Sequence, residues 1–178
     1  SESADVVFSV EGKTYSAHKT LLFIKCKKLF EFAKGYDGKT PIPIDSVKAD
    51  TFKAILDYIY TVNSPMLNTK DEAIELLVAA DRFECISLKL YAESVIVQKF
   101  LVPENAAELM VLADSHSCAL LKEATIHMFI TNTSTVKQSD GWSQVRESSR
   151  LLEELLNSIT QDQDDSSGNV EIDNMDAV

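Results

Sequence analysis

Apolar and polar residues alternate from Asp5 to Val10, with Val6, Phe8 and Val10 on one side of the pattern and Asp5, Val7 and Ser9 on the other. This period of two, carried by β-branched and aromatic side chains, predicts a strand. Gly12 breaks the run, and Tyr15 and Ala17 resume it. The two short runs therefore flank Glu11-Gly12-Lys13, a hairpin whose glycine supplies the positive φ that such a turn needs. From His18 the period changes. Leu21, Leu22, Cys26, Leu29 and Phe30 recur at helical spacing, which predicts one helix from Lys19 to Gly35, with Gly35 in the left-handed position after the helix end.

The following stretch, Tyr36-Asp37-Gly38-Lys39, reads as loop, and Pro41 and Pro43 flank Ile42 so that any strand here is confined to a sheet edge. Phe52, Ile55, Leu56, Ile59 and Tyr60 form one apolar stripe, predicting a helix from Asp50 to Val62 that ends before Asn63-Ser64-Pro65. Thr69 with Glu72 three residues on is a capping box for the next helix, through EAIELLVAADRF. A turn near Glu84-Cys85 leads to a helix over residues 87–100. Pro103 occupies a first helical position and opens ENAAELMVLADSH, and Ser117 is the expected cap of ALLKEATIHMFI. Thr131 to Ser139 is β-branched and polar, and Asp140-Gly141-Trp142 reads as a turn anchoring an aromatic. Leu151, Leu152, Leu155, Leu156 and Ile159 define a last amphipathic helix from Ser149.

A shift of 33 residues pairs Leu76 with Leu109, Ala80 with Ala113, Asp81 with Asp114, Cys85 with Cys118 and Lys89 with Lys122. Either one helical-hairpin design is used twice, or two hairpins have converged on similar packing.

The net charge of −11 adds an uneven distribution to this pattern. From Gln161 onward there are six acidic residues and no Lys or Arg, leaving 22 acidic against 17 basic residues before it. The expectation is a mildly acidic body followed by an acidic disordered tail over residues 161–178. Nucleic-acid binding is disfavoured, because the basic run at Lys25, Lys27 and Lys28 is short and interleaved with core positions. No apolar run approaches the length of a membrane span and no signal sequence opens the chain, so a cytoplasmic or nuclear location is expected. Cys26, Cys85 and Cys118, odd in number and embedded in apolar patterns, read as buried thiols rather than disulfides or a metal site.

Candidate chemistry is sparse. Asp114-Ser115-His116-Ser117-Cys118 puts a carboxylate, an imidazole and a thiol within five residues. Residues two apart on a helix or tight turn do not converge on one point, so no catalytic residue is assigned. His18, His116 and His127 lie far apart, no cysteine pair has zinc-knuckle spacing, and the glycines form no phosphate-binding motif. No metal or cofactor is expected. His18 reads as a partly buried imidazole bonding backbone where the hairpin meets the helix, which leaves a binding surface as the expected site.

The opening motif D-V-x-F-x-V-x-G-x-x-Y-x-A-H-K-x-x-L, then L-F-E-F, then F-K-A-I-L-D-Y-I-Y-T from Phe52 to Thr61, resembles the BTB (POZ) domain. The likeness continues through L-L-V-A-A-D-R-F from Leu76. At Val102 to Ser117, V-P-E-N-A-A-E-L-M-V-L-A-D-S-H-S, with S-D-G-W at Ser139 to Trp142, is similar to the speckle-type POZ protein group. The resemblance runs over residues 5–145. It implies an α+β fold, a small sheet flanked by helices and followed by stacked helical hairpins. The implied organisation is a BTB domain over 1–100, a 3-box and partial BACK extension over 101–145, an amphipathic helix over 146–160 and the tail over 161–178.

The same resemblance implies a non-enzymatic interaction adaptor that holds a target protein on a cullin-3-type ubiquitin ligase scaffold. Tyr36, Asp37, Asn63, Phe83 and Leu101 are the positions that would line the scaffold contact; core packing is the competing reading for Phe83. The alternative is a BTB oligomerisation or transcriptional-regulation module that does not bind cullin. The chain departs from the family pattern at Tyr36-Asp37-Gly38, where cullin-binding members carry a glutamate. Only Ser1 to Ala4 precede Asp5, so the homodimer built on a helix before the first strand is not expected, and no target-binding module such as MATH or Kelch fits beside these helices.

Overall fold

The computed structural model describes residues 4–167, with side-chain environments through Thr160. The chain divides into two compact units, residues 1–100 and 101–178.

In the first unit β1 (Val6–Val10) and β2 (Lys13–Ala17) form the expected antiparallel hairpin, in register Val6 to Ala17 and Val10 to Lys13. Glu11 and Gly12 turn the chain with φ of 48° and 77°, the pair of left-handed residues that matches the twist of a two-residue hairpin. β3 (Ile42–Pro43) lies parallel to β1 on its other side, giving the order β2-β1-β3 with the proline strand at an edge. Val6, Phe8 and Val10 are fully buried, as the alternation requires.

The buried face of β1 packs on α3 (Ala49–Thr61). Phe52 is the centre of that contact: its ring meets Phe8 edge-on at 5.6 Å, Tyr15 at 5.4 Å and Phe83 at 6.0 Å. Hydrogen bonds fix the same junction. The Tyr15 hydroxyl donates to the Ala49 carbonyl at 3.0 Å, and the Ala49 N–H donates to the Glu11 carboxylate at 2.8 Å. Glu11 thus places a negative charge at the N-terminus of α3, where the free N–H groups favour it. At the other end of the helix Val62 takes a left-handed φ of 60° and closes on the Tyr58 carbonyl.

The single helix expected from Lys19 to Gly35 is two. α1 (Lys19–Lys25) and α2 (Lys27–Lys34) are separated by Cys26, whose φ of −142° and ψ of 82° leave the helical region. Gly35 has a φ of −86°, so it closes α2 without the left-handed turn expected of it. The break coincides with a covalent tie: Cys26 and Cys85 are joined as a disulfide across a Cα–Cα separation of 4.6 Å, although 59 residues apart in sequence. This corrects the reading of both as thiols. Only the approach of α2 to the turn between α4 (Lys70–Arg82) and α5 (Ile86–Val95), where the Lys28 N–H also donates to the Phe83 carbonyl, brings the two sulfurs together. Cys118 is a buried cysteine outside that bond, as read from the pattern.

The 33-residue repeat is a repeat of turn geometry. Cys85 N–H donates to the Ala80 carbonyl and Cys118 N–H to the Ala113 carbonyl, both at 2.8 Å. Glu84 and Ser117 take left-handed φ values of 56° and 52°. Lys89 reaches back to Asp81 at 2.6 Å, and Lys122 to Asp114 at 2.7 Å. Each hairpin therefore closes its first helix with the six-to-one hydrogen bond of a left-handed C-terminal motif and clamps it with a lysine from the second. Ser117 belongs to that closure and is not the helix cap expected; Cys118 occupies the cap position. Thr69 does cap α4, accepting from the Glu72 N–H at 3.2 Å, while the Glu72 carboxylate reaches the Asn68 N–H at 2.8 Å.

Beyond α5 the chain adds a π turn (Ile96–Phe100) that completes the first unit. The second unit opens with a 3-10 turn (Pro103–Asn105), followed by α6 (Ala106–Ser115), α7 (Ala119–Thr131), α8 (Thr133–Gln138), α9 (Trp142–Glu147) and α10 (Ser149–Ser167). The β-branched stretch after Thr131 is helical in α8, because Val136 is drawn into the core with Met110, Phe129, Val145 and Leu155. Trp142 stacks on Phe129 at 5.3 Å, the anchoring expected of its turn. The backbone of residues 161–167 continues α10, against the expectation of disorder there; the rest of that expectation, residues 168–178, lies outside the described residues.

Gly141 marks the closest approach in this unit. A Cβ there would stand 2.4 Å from the Glu108 backbone nitrogen, and helix backbone cannot yield as a flexible side chain can. Gly141→Ala should therefore cost about 2 kcal/mol or more, in the range of overpacking effects. The check is urea unfolding followed by the fluorescence of Trp142, the chain's single tryptophan; a midpoint unchanged from wild type would contradict the close packing.

Candidate functional site

The residues expected to meet a partner sit in four different settings. The first is the loop after α2. Tyr36 is half-buried and its N–H donates to the Ala33 carbonyl at 3.2 Å. Asp37 accepts from the Lys39 N–H at 2.9 Å and the Thr40 N–H at 3.1 Å, and these backbone donors hold its carboxyl below the usual range. Both bonds go to Oδ1 and fold the loop back, with Gly38 at a φ of 80° completing the turn. The loop presents the Tyr36 ring, with the Lys19 ammonium 6.0 Å from its centroid.

Asn63 follows the left-handed close of α3 and is exposed; its N–H donates to the Thr61 hydroxyl at 3.2 Å. The segment after it is pinned where the Tyr91 hydroxyl donates to the Pro65 carbonyl at 2.7 Å. Exposed apolar side chains flank Asn63: Val62 is 58% exposed and Met66 84%. Phe83, in contrast, has no exposed surface. Its ring packs on Phe52 with the Arg82 guanidinium 5.2 Å above it, so Phe83 is a core residue and offers a partner no side-chain contact. Leu101 is half-buried in the second unit, packed against the cluster of Met110 and Phe129.

The pattern of the sequence did not single out Phe23 and Ile24, which are 62% and 65% exposed on α1, nor Ile86 and Leu90, 69% and 55% exposed one turn apart on α5. The signal was present in the four-residue apolar run Leu21 to Ile24, since an amphipathic stripe accounts for only two of four successive positions. His18 is partly buried where the hairpin meets α1, as expected, and pairs through Nδ1 with the Tyr60 hydroxyl at 2.6 Å. Burial of Tyr60 raises its phenol above the ordinary value.

The Asp114 to Cys118 cluster is organised around charge. The Asp114 carboxylate is held by Lys122 at 2.7 Å and by Arg150, and Lys122 also meets Glu154 at 2.5 Å. Cys118 is buried, with Sγ 3.7 Å from the His116 carbonyl. The carboxylate is thus directed at two cations on α7 and α10. Among the described residues no group of three or more His, Cys, Asp or Glu side chains could hold a metal ion, and no helix is long and apolar enough to cross a membrane.

Comparison with known proteins places these features in a family context. The BTB/POZ domain family model matches residues 1–100. Over 159 residues the chain is 30% identical to TD and POZ domain-containing protein 1 of Mus musculus, an alignment covering 87% of this chain and 43% of that protein. TD and POZ domain-containing protein 2 of Mus musculus matches with the same identity and coverage. The chain therefore spans less than half the length of the curated relatives it matches. Among solved structures, the BTB domain of zebrafish PATZ1 aligns with 54% of this chain and 77% of its own, at 24% identity and a TM-score of 0.45.

The ionic clamp of the second unit sets a pH dependence. Burial alone would raise the Asp114 carboxyl, but the hydrogen bonds from Lys122 and Arg150 outweigh it and hold the group below its ordinary value. A depressed carboxyl contributes stability above its unfolded pKa and loses it as pH falls through the folded one. Asp114→Asn should lower stability by about 1–2 kcal/mol at pH 7. The gap to wild type should then close as pH falls below the ordinary carboxylate range. Urea midpoints taken from pH 7 downward read this directly, and a gap that does not narrow as pH falls through and below the ordinary carboxylate range would assign the effect to packing instead.

Proposed function

The chain belongs to the BTB/POZ domain family, and on that basis we propose that it is a non-catalytic adaptor that docks a cullin-3-type ubiquitin ligase scaffold. A BTB domain is a protein–protein interaction module, and the finer assignment of partner rests on the loop after α2. That loop is the observation that carries the reading. Asp37 accepts through Oδ1 from two backbone N–H groups and leaves the Tyr36 ring presented on a stiff turn. A rigid aromatic at the rim of a helix end is the kind of side chain that anchors an interface, because little conformational entropy is lost when it is covered.

Asn63 extends the same reading, with Val62 and Met66 supplying exposed apolar area beside it. Residues 101–145 would act as the 3-box and partial BACK extension, with Leu101 at its start, as the likeness of Val102 to Ser117 to the speckle-type POZ protein group implies. The target held on the scaffold would be a protein, and the site of action the cytoplasm or nucleus. A second reading, pairing between BTB domains without cullin, is favoured by one observation. Phe23 and Ile24 leave a contiguous apolar surface on α1 that self-association would cover.

The two readings separate on one variant. Tyr36→Ala should leave the melting temperature unchanged and weaken binding to a purified cullin-3-type N-terminal domain about tenfold or more, the loss expected of an interface anchor. Calorimetric titration of the full chain reads the affinity. Unchanged affinity would remove the loop from the contact. Absence of wild-type binding at high micromolar concentration, with a tight homodimer in light scattering, would favour the pairing module.

A further inference from the structure

Two grooves of about 570 and 360 Å³ run between α3 and α4 and share Lys48, Thr51 and Glu75 in their walls. They are one trough crossed by a bar. The bar is the ion pair of Lys48 with Glu75, and Thr51 approaches the same carboxylate at 3.5 Å. On one side of it the walls are apolar, from Ile44, Val47, Ile74 and Val78. On the other they are Ala54, Leu67 and Leu76, with Met66 at the open end.

The charges along this trough are mainly negative. Glu11, Asp45, Asp50, Glu72 and Glu75 line it, and among the described lining residues Lys48 is the only cation. The Lys48 ammonium is held above its ordinary pKa by its hydrogen bond to Glu75, with Asp71 and Glu11 adding to the effect. Some of these carboxylates have internal work: Glu11 accepts from Ala49 N–H, Glu72 from Asn68 N–H, and Asp50 stands 3.8 Å from Lys13. Asp45 is exposed; its carbonyl accepts from Arg82, and among the described contacts none engages its carboxylate. A trough with aliphatic walls and a surplus of carboxylates excludes nucleic acids, anionic lipid headgroups and the chain's own acidic C-terminal segment by sign.

We propose that this trough is a docking site for a partner segment in which lysine or arginine alternates with aliphatic side chains. Lys48 shows how such a segment is held: an ammonium from the rim lies between carboxylates while the apolar walls remain to be covered. An incoming cation takes the position beside Glu75 and Asp45, and its aliphatic neighbours fill the space along Val47, Ile74 and Val78. The site shares only Met66, at its open end, with the scaffold reading above, and it stands or falls without that reading.

The probe is a fluorescein-labelled decapeptide of alternating lysine and leucine, titrated with the full chain by fluorescence anisotropy at physiological salt. Saturable binding at or below roughly 100 μM is expected. A lysine–serine decapeptide of the same charge should bind at least tenfold more weakly, since it cannot cover the walls. Asp45→Asn with Asp50→Asn, both exposed, should weaken the lysine–leucine peptide about fivefold or more. Glu123→Gln with Glu147→Gln, which removes the same charge from the second unit, should not. Lys48→Met removes the internal competitor and should tighten binding about threefold, which keeps the test decisive if the double variant loses its fold. Equal binding of the two peptides, equal loss in the two double variants, no tightening in Lys48→Met, or no saturation would each overturn the proposal.

Discussion

The first unit depends on one ring. Phe52 is wholly buried and meets aromatic edges from β1, β2 and the end of α4 at once, so the sheet and both helices are referred to a single side chain. Removing a ring so placed typically costs about 3–5 kcal/mol, a large fraction of a small domain's stability. Its neighbours pass that constraint outward. Tyr15 and Glu11 tie the β hairpin to Ala49, which sets the N-terminus of α3 and one wall of the acidic trough. Phe83 ties the end of α4 to Lys28 through its carbonyl and so positions α2, from which the Tyr36 loop projects.

Phe83 shows how a residue near an interface can matter without being part of it. Family likeness put it among the contact positions, and burial removes its side chain from any contact. In the proposed contact its part would be positional, through α2. Asp37 has a positional part as well, since its Oδ1 accepts from two backbone N–H groups and folds the loop. The proposed function is thus divided between core residues that hold helix ends still and a few exposed side chains at those ends. This is what an interaction module requires.

What the sequence made legible was whatever local chemistry decides alone. The hairpin at Glu11-Gly12, the α3 stripe, the Thr69 cap and the Trp142 anchor all follow from patterns a few residues long. What it hid was set by distant partners. The break at Cys26 and its bond to Cys85 depend on a packing event 59 residues away, which no spacing rule reports. Ser117 looked like a cap because serine favours caps, but the repeated six-to-one closure required a left-handed residue at that point. α8 overrode its β-branched composition because Val136 had a core to enter. At the candidate site Tyr36 and Asn63 were legible as loop residues, whereas the acidic trough was not, since its walls come from three segments with no common motif.

The repeated Asp–Lys clamp and the disulfide both rigidify the turns that close the helical hairpins, while the loops around Tyr36 and Asn63 are held by backbone N–H groups that donate to the Asp37 carboxylate and the Thr61 hydroxyl. An adaptor built in this way should bind by covering those loops with little rearrangement of its core. Amide hydrogen exchange of the full chain, with and without a saturating cullin-3-type N-terminal domain, tests this most directly. Slower exchange is expected over residues 35–40 and 62–66, with unchanged exchange in β1 and α3. Protection confined to other segments, or none in a complex that forms, would contradict it.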